Sequence, residues 1–153
     1  MLYHISIRSN QVKMSFQEKS IWISLILTIL IFGHYFYRAV RVFSSPDLPE
    51  SKLIALFIGA VFTLIIIQIA SQSILAFSHK KEAAQGKDER DHFIQFNSSR
   101  VSYFILAVGV WAAGISMLFH TSTMIMANII MGFFILAETV GYAAQLIMYR
   151  RGA

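Results

Sequence analysis

The sequence has no cysteine and very little charge. The absence of cysteine excludes disulfides, thiolate metal sites and thiol chemistry, although it does not identify a compartment. Charged residues make up 14% of the 153 positions, whereas a soluble domain of this size usually carries about a quarter. Hydrophobic residues make up 56%, and the mean hydropathy is +0.60. These values predict a single domain embedded in lipid.

The chain also lacks the patterns by which enzymes and nucleic-acid-binding proteins are identified. It has no phosphate-binding glycine loop, no His-Glu-x-x-His and no nucleophile paired with a base and an orienting acid. The net charge is +5, but no basic run is interleaved with aromatic residues. Membrane proteins gather Lys and Arg in their cytoplasmic loops, which explains the excess without a nucleic-acid partner. We therefore expect no enzyme, no nucleic-acid partner and no cofactor.

Charge is scarcest in residues 101–149, where Glu138 is the only charged residue. As one helix this segment would be roughly 74 Å long at about 1.5 Å per residue, against a hydrocarbon core of about 30 Å. It must therefore fold back on itself, and residues 120–123 supply a short polar turn. With two apolar stretches upstream, the sequence predicts an all-α integral membrane four-helix bundle. The expected spans are about 21–41, 53–77, 101–119 and 124–149.

The first span competes with a secretory signal peptide as the interpretation of the N-terminal region. Its uncharged stretch is longer than the apolar core of a usual signal peptide, and bulky aromatic residues precede Arg38 where cleavage requires small ones. We therefore predict a membrane span preceded by a cytoplasmic segment, residues 1–20. Met14 begins a stretch that looks like a natural start, so Met1 and Met14 both remain candidate first residues.

Lys and Arg are distributed unequally between the two sides of the predicted bundle. Four spans place both termini, including the tail 150–153, on the same side as the connector 78–100. That side carries ten Lys and Arg residues against three on the other side, or eight against three if the chain starts at Met14. The positive-inside rule therefore predicts that both termini and the connector are cytoplasmic.

The connector is the largest element outside the predicted spans. Residues 80–85 are expected to extend the second helix until Gly86 ends it. Asp88 is expected to cap a new amphipathic helix that runs straight into the third span. Two interpretations remain open, namely a capped helix start with solvated charges and a partner-binding surface. The candidate partner-binding residues are Asp88, Glu89, Arg90, Asp91, Arg100 and Tyr103.

This part of the connector carries a resemblance to a known family. The run Lys87-Asp88-Glu89-Arg90-Asp91 is followed by Ile94, Ser99-Arg100 and Ser102-Tyr103 before an apolar helix. The pattern, over residues 87–106, resembles a signature of small bacterial four-helix membrane proteins that are grouped as a domain of unknown function. The resemblance implies a multi-pass protein of the bacterial inner (cytoplasmic) membrane and a signalling or self-protection role. It implies no reaction.

Glu138 is the strongest single indication of a site. It lies near the middle of the fourth span, where a charge is costly unless it faces a partner or water. Tyr142 and Gln145 follow on the same helix face, and Gln68 and Gln72 of the second span are expected to meet Glu138 across the bundle. This intramembrane polar cluster is compatible with a clamp between helices, a proton or cation relay, or a contact with a partner subunit or a lipid headgroup.

A second group of polar residues is expected on the opposite, outer side of the membrane. We name it the outer-face cluster, and it comprises His34, Arg38, Arg41 and His120. Interfacial snorkelling with Asp47 or Glu50 as counter-ions is the favoured interpretation. A small anion site is a further possibility. A metal site would need both histidines and one carboxylate, and we do not expect one. The remaining histidines, among them His79, are expected in solvent.

Two functions are compatible with this sequence. The first is a non-catalytic regulatory or accessory subunit of the inner membrane that acts through protein contacts, both in the membrane and through its connector. The alternative is a small oligomeric transporter or channel with Glu138 as an intramembrane proton or cation site. Four helices with few internal polar groups make a poor pore alone, so the alternative requires a homo-oligomer. The expected partners are the bilayer and a membrane or cytosolic protein or a second copy.

Overall fold

The computed structural model describes residues 14–44, 50–84 and 86–151. In these ranges the chain is mostly helical, which confirms the prediction of an all-α chain with four long apolar helices. Each of the four is long and apolar enough to cross a membrane. The elements are α1 (Phe16–Phe43), α2 (Glu50–Ser78), α3 (Lys80–Ala83), α4 (Glu89–Ser116), a 3-10 turn (Met117–Phe119) and α5 (Thr123–Arg151).

Some sequence-based expectations fall outside the described residues. These are the expectations for residues 1–13, for Asp47 as a counter-ion, for Gln85 as part of a helix and for the end of the tail, 152–153. The side chain of Glu50, the other candidate counter-ion, is not described either.

Two of the long helices begin with reciprocal capping. Ser15 Oγ accepts a hydrogen bond from the Glu18 backbone N–H at 3.1 Å, and the Glu18 carboxylate accepts one from the Ser15 N–H at 3.1 Å. At the start of α4, Asp88 and Asp91 exchange the equivalent bonds at 2.7 and 3.3 Å. Each pair satisfies amide groups that have no partner within the helix. Asp88 is therefore the N-cap that the sequence predicts.

The connector differs in one respect from the expectation. Helix α2 does not continue through residues 80–85, because His79 leaves the helical conformation (φ −123°, ψ 44°) and separates α2 from the short α3. Gly86 follows with φ +72°, a left-handed conformation in which glycine is favoured. From Glu89 onward the chain runs without a break to Ser116, so the second half of the connector and most of the third span form one helix.

The long helices lie in the order α2–α1–α5–α4. Helix α1 packs against both α2 and α5, and α5 packs against both α1 and α4. No other pair of long helices packs closely in the described part of the chain. The layout is therefore a row of two hairpins, α1/α2 and α4/α5, which pack together through α1 and α5. The connector end of the row carries α3, and the turn end carries the 3-10 turn.

Two clusters of buried side chains hold the row together. The larger lies toward the turn end and joins α1, α2 and α5 through Phe32, Tyr35, Ala39, Leu53 and Ile135. The ring of Tyr35 packs edge-on against neighbouring aromatic rings, and its hydroxyl donates to Asn128 Oδ1 at 2.8 Å. The smaller cluster joins α1 to α5 near the connector end through Ile21, Leu25 and Leu146.

Helices α4 and α5 approach each other over small residues. A Cβ atom added at Gly109 would overlap the Phe133 side chain, and one added at Gly141 would overlap Ser102 Oγ. Ser102 Oγ donates to the Ala137 carbonyl oxygen at 2.8 Å. Small residues allow helix backbones to come this close, and the close approach fixes the register of the α4/α5 hairpin.

Large apolar faces remain exposed on the outer helices. Ile66 and Ile74 of α2 are 64% and 66% exposed, and Trp111 of α4 is 74% exposed. Soluble monomers rarely expose contiguous apolar patches of more than a few hundred Å². These faces are therefore available to lipid or to another protein.

Candidate functional site

Glu138 lies halfway along α5, at the wall of a cavity of about 520 Å³ between α4 and α5. Its side chain is half-buried, whereas Gln95, Ser99 and Tyr103 on the same wall are exposed. The cavity therefore opens to the surroundings of the helices. We call it the Glu138 crevice, and its polar lining consists of Gln95, Ser99, Ser102, Tyr103, Glu138, Tyr142 and Gln145.

The register of α4 against α5 builds this crevice. On α4, Gln95, Ser99 and Ser102 recur at helical spacing and so form one polar stripe. On α5, Glu138 heads a second stripe that includes Tyr142 and Gln145 at i+4 and i+7. Because Gly141 has no side chain, Ser102 fits against α5 and the two stripes face the same space.

Polar groups continue from the crevice toward the connector end. A second cavity of about 220 Å³ lies there between the start of α1, the start of α4 and the end of α5. It shares Gln95, Tyr142 and Gln145 with the Glu138 crevice. Asp91 and Lys87 line its wall as well. Polar side chains are therefore present from the connector end as far as Glu138.

Gln68 and Gln72 bind α1 instead of Glu138. The Gln72 amide accepts from Ser20 Oγ at 2.8 Å and donates to Ser24 Oγ at 3.2 Å, and Gln68 Nε2 donates to Ser24 Oγ at 2.5 Å. Among the described residues, no hydrogen bond joins either glutamine to Glu138. The structure departs from the predicted direct contact because α1 lies between α2 and α5.

Tyr142 provides an indirect connection instead. Its side chain lines one cavity with Glu138 of α5 and another with Ser24 of α1. Since Ser24 also accepts from both glutamines of α2, polar side chains of three helices form one chain. This arrangement clamps α2, α1 and α5 together, and it includes a carboxyl group and hydroxyls that can hold a proton.

Half of the predicted partner-binding residues serve contacts within the chain. Asp88 and Asp91 form the cap of α4, and Asp91 Oδ1 also accepts a hydrogen bond from the Tyr149 hydroxyl. Arg90 donates to the Tyr149 carbonyl oxygen at 3.2 Å. These contacts fasten the start of α4 to the end of α5. Sequence reasoning missed Tyr149, although its position beside Arg150 marks it as the aromatic residue that closes the fourth span.

The other predicted partner-binding residues face outward. Glu89 is exposed at the start of α4. The Arg100 guanidinium lies over the Phe96 ring, with its Cζ 4.4 Å from the ring centroid. Tyr103 is 74% exposed, and Phe93 is 57% exposed on the same helix. These residues therefore form an outward-facing aromatic and cationic surface on α4, next to the Glu138 crevice.

The outer-face cluster is brought together only in part. His34, Arg38 and Arg41 line a cavity of about 1170 Å³ between α1 and α2, and Lys52 joins them from α2. Arg41 donates to the Tyr37 hydroxyl and lies over that ring. His120 does not line this cavity; it is exposed on the α4/α5 turn, where it adopts φ 53°.

His79 is not solvated as the sequence suggests. Its ring is half-buried at the connector end, where Nε2 lies 2.8 Å from Lys19 Nζ and the ring packs against Phe16. This contact joins the end of α2 to the start of α1. Within the described ranges, no group of three His, Asp or Glu side chains is placed to hold a metal ion.

Comparisons of the chain with models of known protein families, with curated proteins and with solved structures found no match. The resemblance of residues 87–106 to small bacterial membrane proteins therefore stays a prediction. The function has to be inferred from the geometry of the described residues.

Proposed function

We propose that this protein is a non-catalytic, multi-pass membrane protein that acts as a regulatory or accessory subunit and docks a second membrane protein against α4 and the Glu138 crevice. One observation carries the proposal. Glu138, the only charged residue between positions 101 and 149, is half-buried in a crevice that opens to the side of the row. In a bilayer such a residue requires a polar or charged partner.

Insertion into a membrane is supported by the exposed apolar faces and by the length of the four helices. Orientation is supported by the excess of Lys and Arg at the connector end. The contact between Lys19 and His79 joins the start of α1 to the end of α2, and the contact between Asp91 and Tyr149 joins the start of α4 to the end of α5. The connector end then faces the cytoplasm. The resemblance of residues 87–106 favours a bacterial inner membrane as the location.

The edge position of α4 supports it as the docking helix. Its outer face has no neighbour in the described part of the chain and presents Phe96, Arg100 and Tyr103 near the connector end. The crevice beside it offers a carboxyl group, amides and hydroxyls. A transmembrane helix that carries a Lys or Arg side chain complements both features, with its cation at Glu138 and its apolar surface on the aromatic residues.

Site-specific photo-crosslinking in cells tests this proposal. A photoreactive residue at Tyr103 is expected to give one discrete protein adduct, and that adduct is expected to be lost in the Glu138→Gln variant. The matched control places the same group at Ile66, which is similarly exposed, at 64% against 74%, but lies on α2. An adduct at Tyr103 that survives Glu138→Gln, or one of equal yield at Ile66, contradicts docking at the crevice.

The alternative function, a small oligomeric transporter or channel, is favoured by a different observation. The polar cavities lead from the connector end only as far as Glu138, and beyond it the crevice is lined by Leu106 and Phe134. A polar lining that ends at Glu138 suits a proton or cation pathway whose remaining part is supplied by another copy of the chain. Proton flux into liposomes that requires Glu138, together with a symmetric oligomer in detergent, would support this function. A monomer without flux would exclude it.

A further inference from the structure

We propose that the cavity between α1 and α2 at the turn end binds an anionic phospholipid, with the headgroup phosphate held by Arg38, His34 and Lys52 and an acyl chain along the apolar wall. This site is separate from the Glu138 crevice. The inference does not depend on the identity of a protein partner.

The cavity is large enough for part of a lipid, and its lining has an apolar part and a cationic part, as a phospholipid requires. At about 1170 Å³ it is larger than the crevice between α4 and α5, at about 520 Å³. One part is lined by Leu30, Ile31, Leu56 and Ala60, all apolar. The cavity opens to the side, since Leu30 is 64% exposed and Gly59 on the facing helix is exposed as well. An acyl chain can therefore enter from the surrounding bilayer.

The other part of the cavity is cationic, and no carboxylate lines it among the residues that the structure describes. Among the described residues, no hydrogen bond, ion pair or ring contact engages His34, Arg38 or Lys52. Arg41 differs, because its guanidinium contacts Tyr37. Three basic side chains thus converge on one space where an anion can accept hydrogen bonds. Guanidinium groups bind phosphate oxygens in a bidentate manner, and an ammonium group adds a point charge.

The depth of the cluster fits a headgroup. Arg38 lies five residues before the end of α1, and Lys52 lies two residues after the start of α2. At about 1.5 Å per residue, both are within roughly 8 Å of the helix ends. That is the level of the membrane interface in a helix of this length. The apolar wall runs from there toward the middle of the helices, as acyl chains do.

The apolar wall distinguishes a lipid from a free anion. Inorganic phosphate would use the basic residues alone and would gain nothing from Leu30, Ile31 or Leu56. The basic residues would hold the phosphate of a lipid headgroup by charge-assisted hydrogen bonds. An anionic phospholipid uses both parts of this cavity, and a zwitterionic one would carry an additional cation into a cluster that is already positive.

Native mass spectrometry of the full chain in detergent tests the proposal, with phosphatidylglycerol, phosphatidylcholine and inorganic phosphate as probes. We expect phosphatidylglycerol to bind more tightly than phosphatidylcholine and inorganic phosphate not to compete with it. The double variant Arg38→Gln/Lys52→Gln is expected to weaken phosphatidylglycerol binding about tenfold or more, as loss of two charged contacts would. The matched control Lys80→Gln/Lys81→Gln removes the same charge at the connector end and is expected to leave binding unchanged.

A second variant tests the apolar part without altering a charge. A side chain added at Gly59 would enter open space, since no atom lies within 4 Å of the position that its Cβ would take. Gly59→Phe is therefore expected to fold and to displace the acyl chain, which weakens phosphatidylglycerol binding. Equal loss in the Lys80/Lys81 control, equal binding of phosphatidylcholine, competition by inorganic phosphate, or unaltered binding in Gly59→Phe would each overturn the proposal.

Discussion

The two hairpins of this protein are held together in different ways. In α4/α5, small residues let the backbones approach until Gly109 lies against Phe133 and Gly141 lies against Ser102. In α1/α2, aromatic side chains and serine–glutamine hydrogen bonds join the helices, and a cavity of about 1170 Å³ remains between them at the turn end. Residue size at the contact thus affects how much room each helix pair leaves, about 520 Å³ between α4 and α5 and about 1170 Å³ between α1 and α2.

Gly109→Ala should disrupt the close packing of the α4/α5 hairpin and lower the free energy of unfolding more than any other change considered below. The added methyl group overlaps Phe133 at its Cβ and Cγ, and since a Cβ atom cannot rotate away from its backbone, α4 and α5 have to separate. We expect a loss of about 3 kcal/mol in the free energy of unfolding, at the upper end of typical overpacking costs. Unfolding by SDS titration in mixed micelles measures it.

The matched control for this prediction is Gly114→Ala on the same helix. Crowding by the added methyl group is not expected at this position, because nothing outside the local helix backbone lies within 4 Å of a Cβ at Gly114. The greater helix propensity of alanine should therefore leave the free energy of unfolding equal or slightly higher. Equal destabilisation by both variants would show that the close approach at Gly109 is not what holds α4 to α5.

Tyr149→Phe should loosen the same hairpin at the connector end only. The variant removes the hydroxyl that donates to Asp91 while it keeps the ring beside Arg90. We expect a loss of about 1 kcal/mol and faster amide hydrogen exchange in the first turn of α4. Tyr103→Phe serves as the control, because Tyr103 is 74% exposed. Unchanged exchange at the start of α4 would refute the role of this bond.

Gln72→Leu should give the smallest effect and tests the α1/α2 hairpin. It removes the amide that accepts from Ser20 and donates to Ser24. Hydrogen bonds between transmembrane helices contribute about 0.6 kcal/mol on average, and we expect a loss of that size. Ser73→Ala on the same helix is the control, since Ser73 is exposed. A loss above that for Gly109→Ala would reverse the ranking of the two hairpins.

The sequence predicts the helices well because their physical signal is local. Scarcity of charge over helix-length segments gives the four apolar helices, and Asp88 followed by acidic residues gives the start of α4. The short polar segment at residues 120–123 gives the reversal between the last two helices. Each of these signals depends only on neighbours in the chain.

The lateral order of the helices has no such local signal. The apolar residues of α2 are spread over all of its faces, so its hydrophobic pattern does not indicate which face packs against another helix. Gln68 and Gln72 are polar enough to require a partner, and they form hydrogen bonds with Ser20 and Ser24 of α1 rather than with Glu138. Which of several polar groups meet depends on which helices are adjacent, and only the three-dimensional arrangement settles that.

The candidate site was predictable as a set of residues and not as a set of contacts. Glu138, Tyr142 and Gln145 share a face of α5 by helical spacing alone. The contribution of α4, through Ser99 and Ser102, depends on the register that the small residues impose. The contact of Tyr149 with Asp91 likewise follows from the register rather than from the sequence neighbours of Tyr149.

The position of α1 in the row has a consequence for biogenesis. Helix α1 is the first of the four long helices to leave the ribosome and α5 is the last, yet the packing between them is what joins the two hairpins. If the four helices span a bilayer as proposed, each hairpin can insert as soon as it is synthesised, but α1 and α5 can pack together only after translation has passed Thr123–Arg151. On that proposal, the side of α1 that faces α5 contacts lipid or an insertase until α5 has been made.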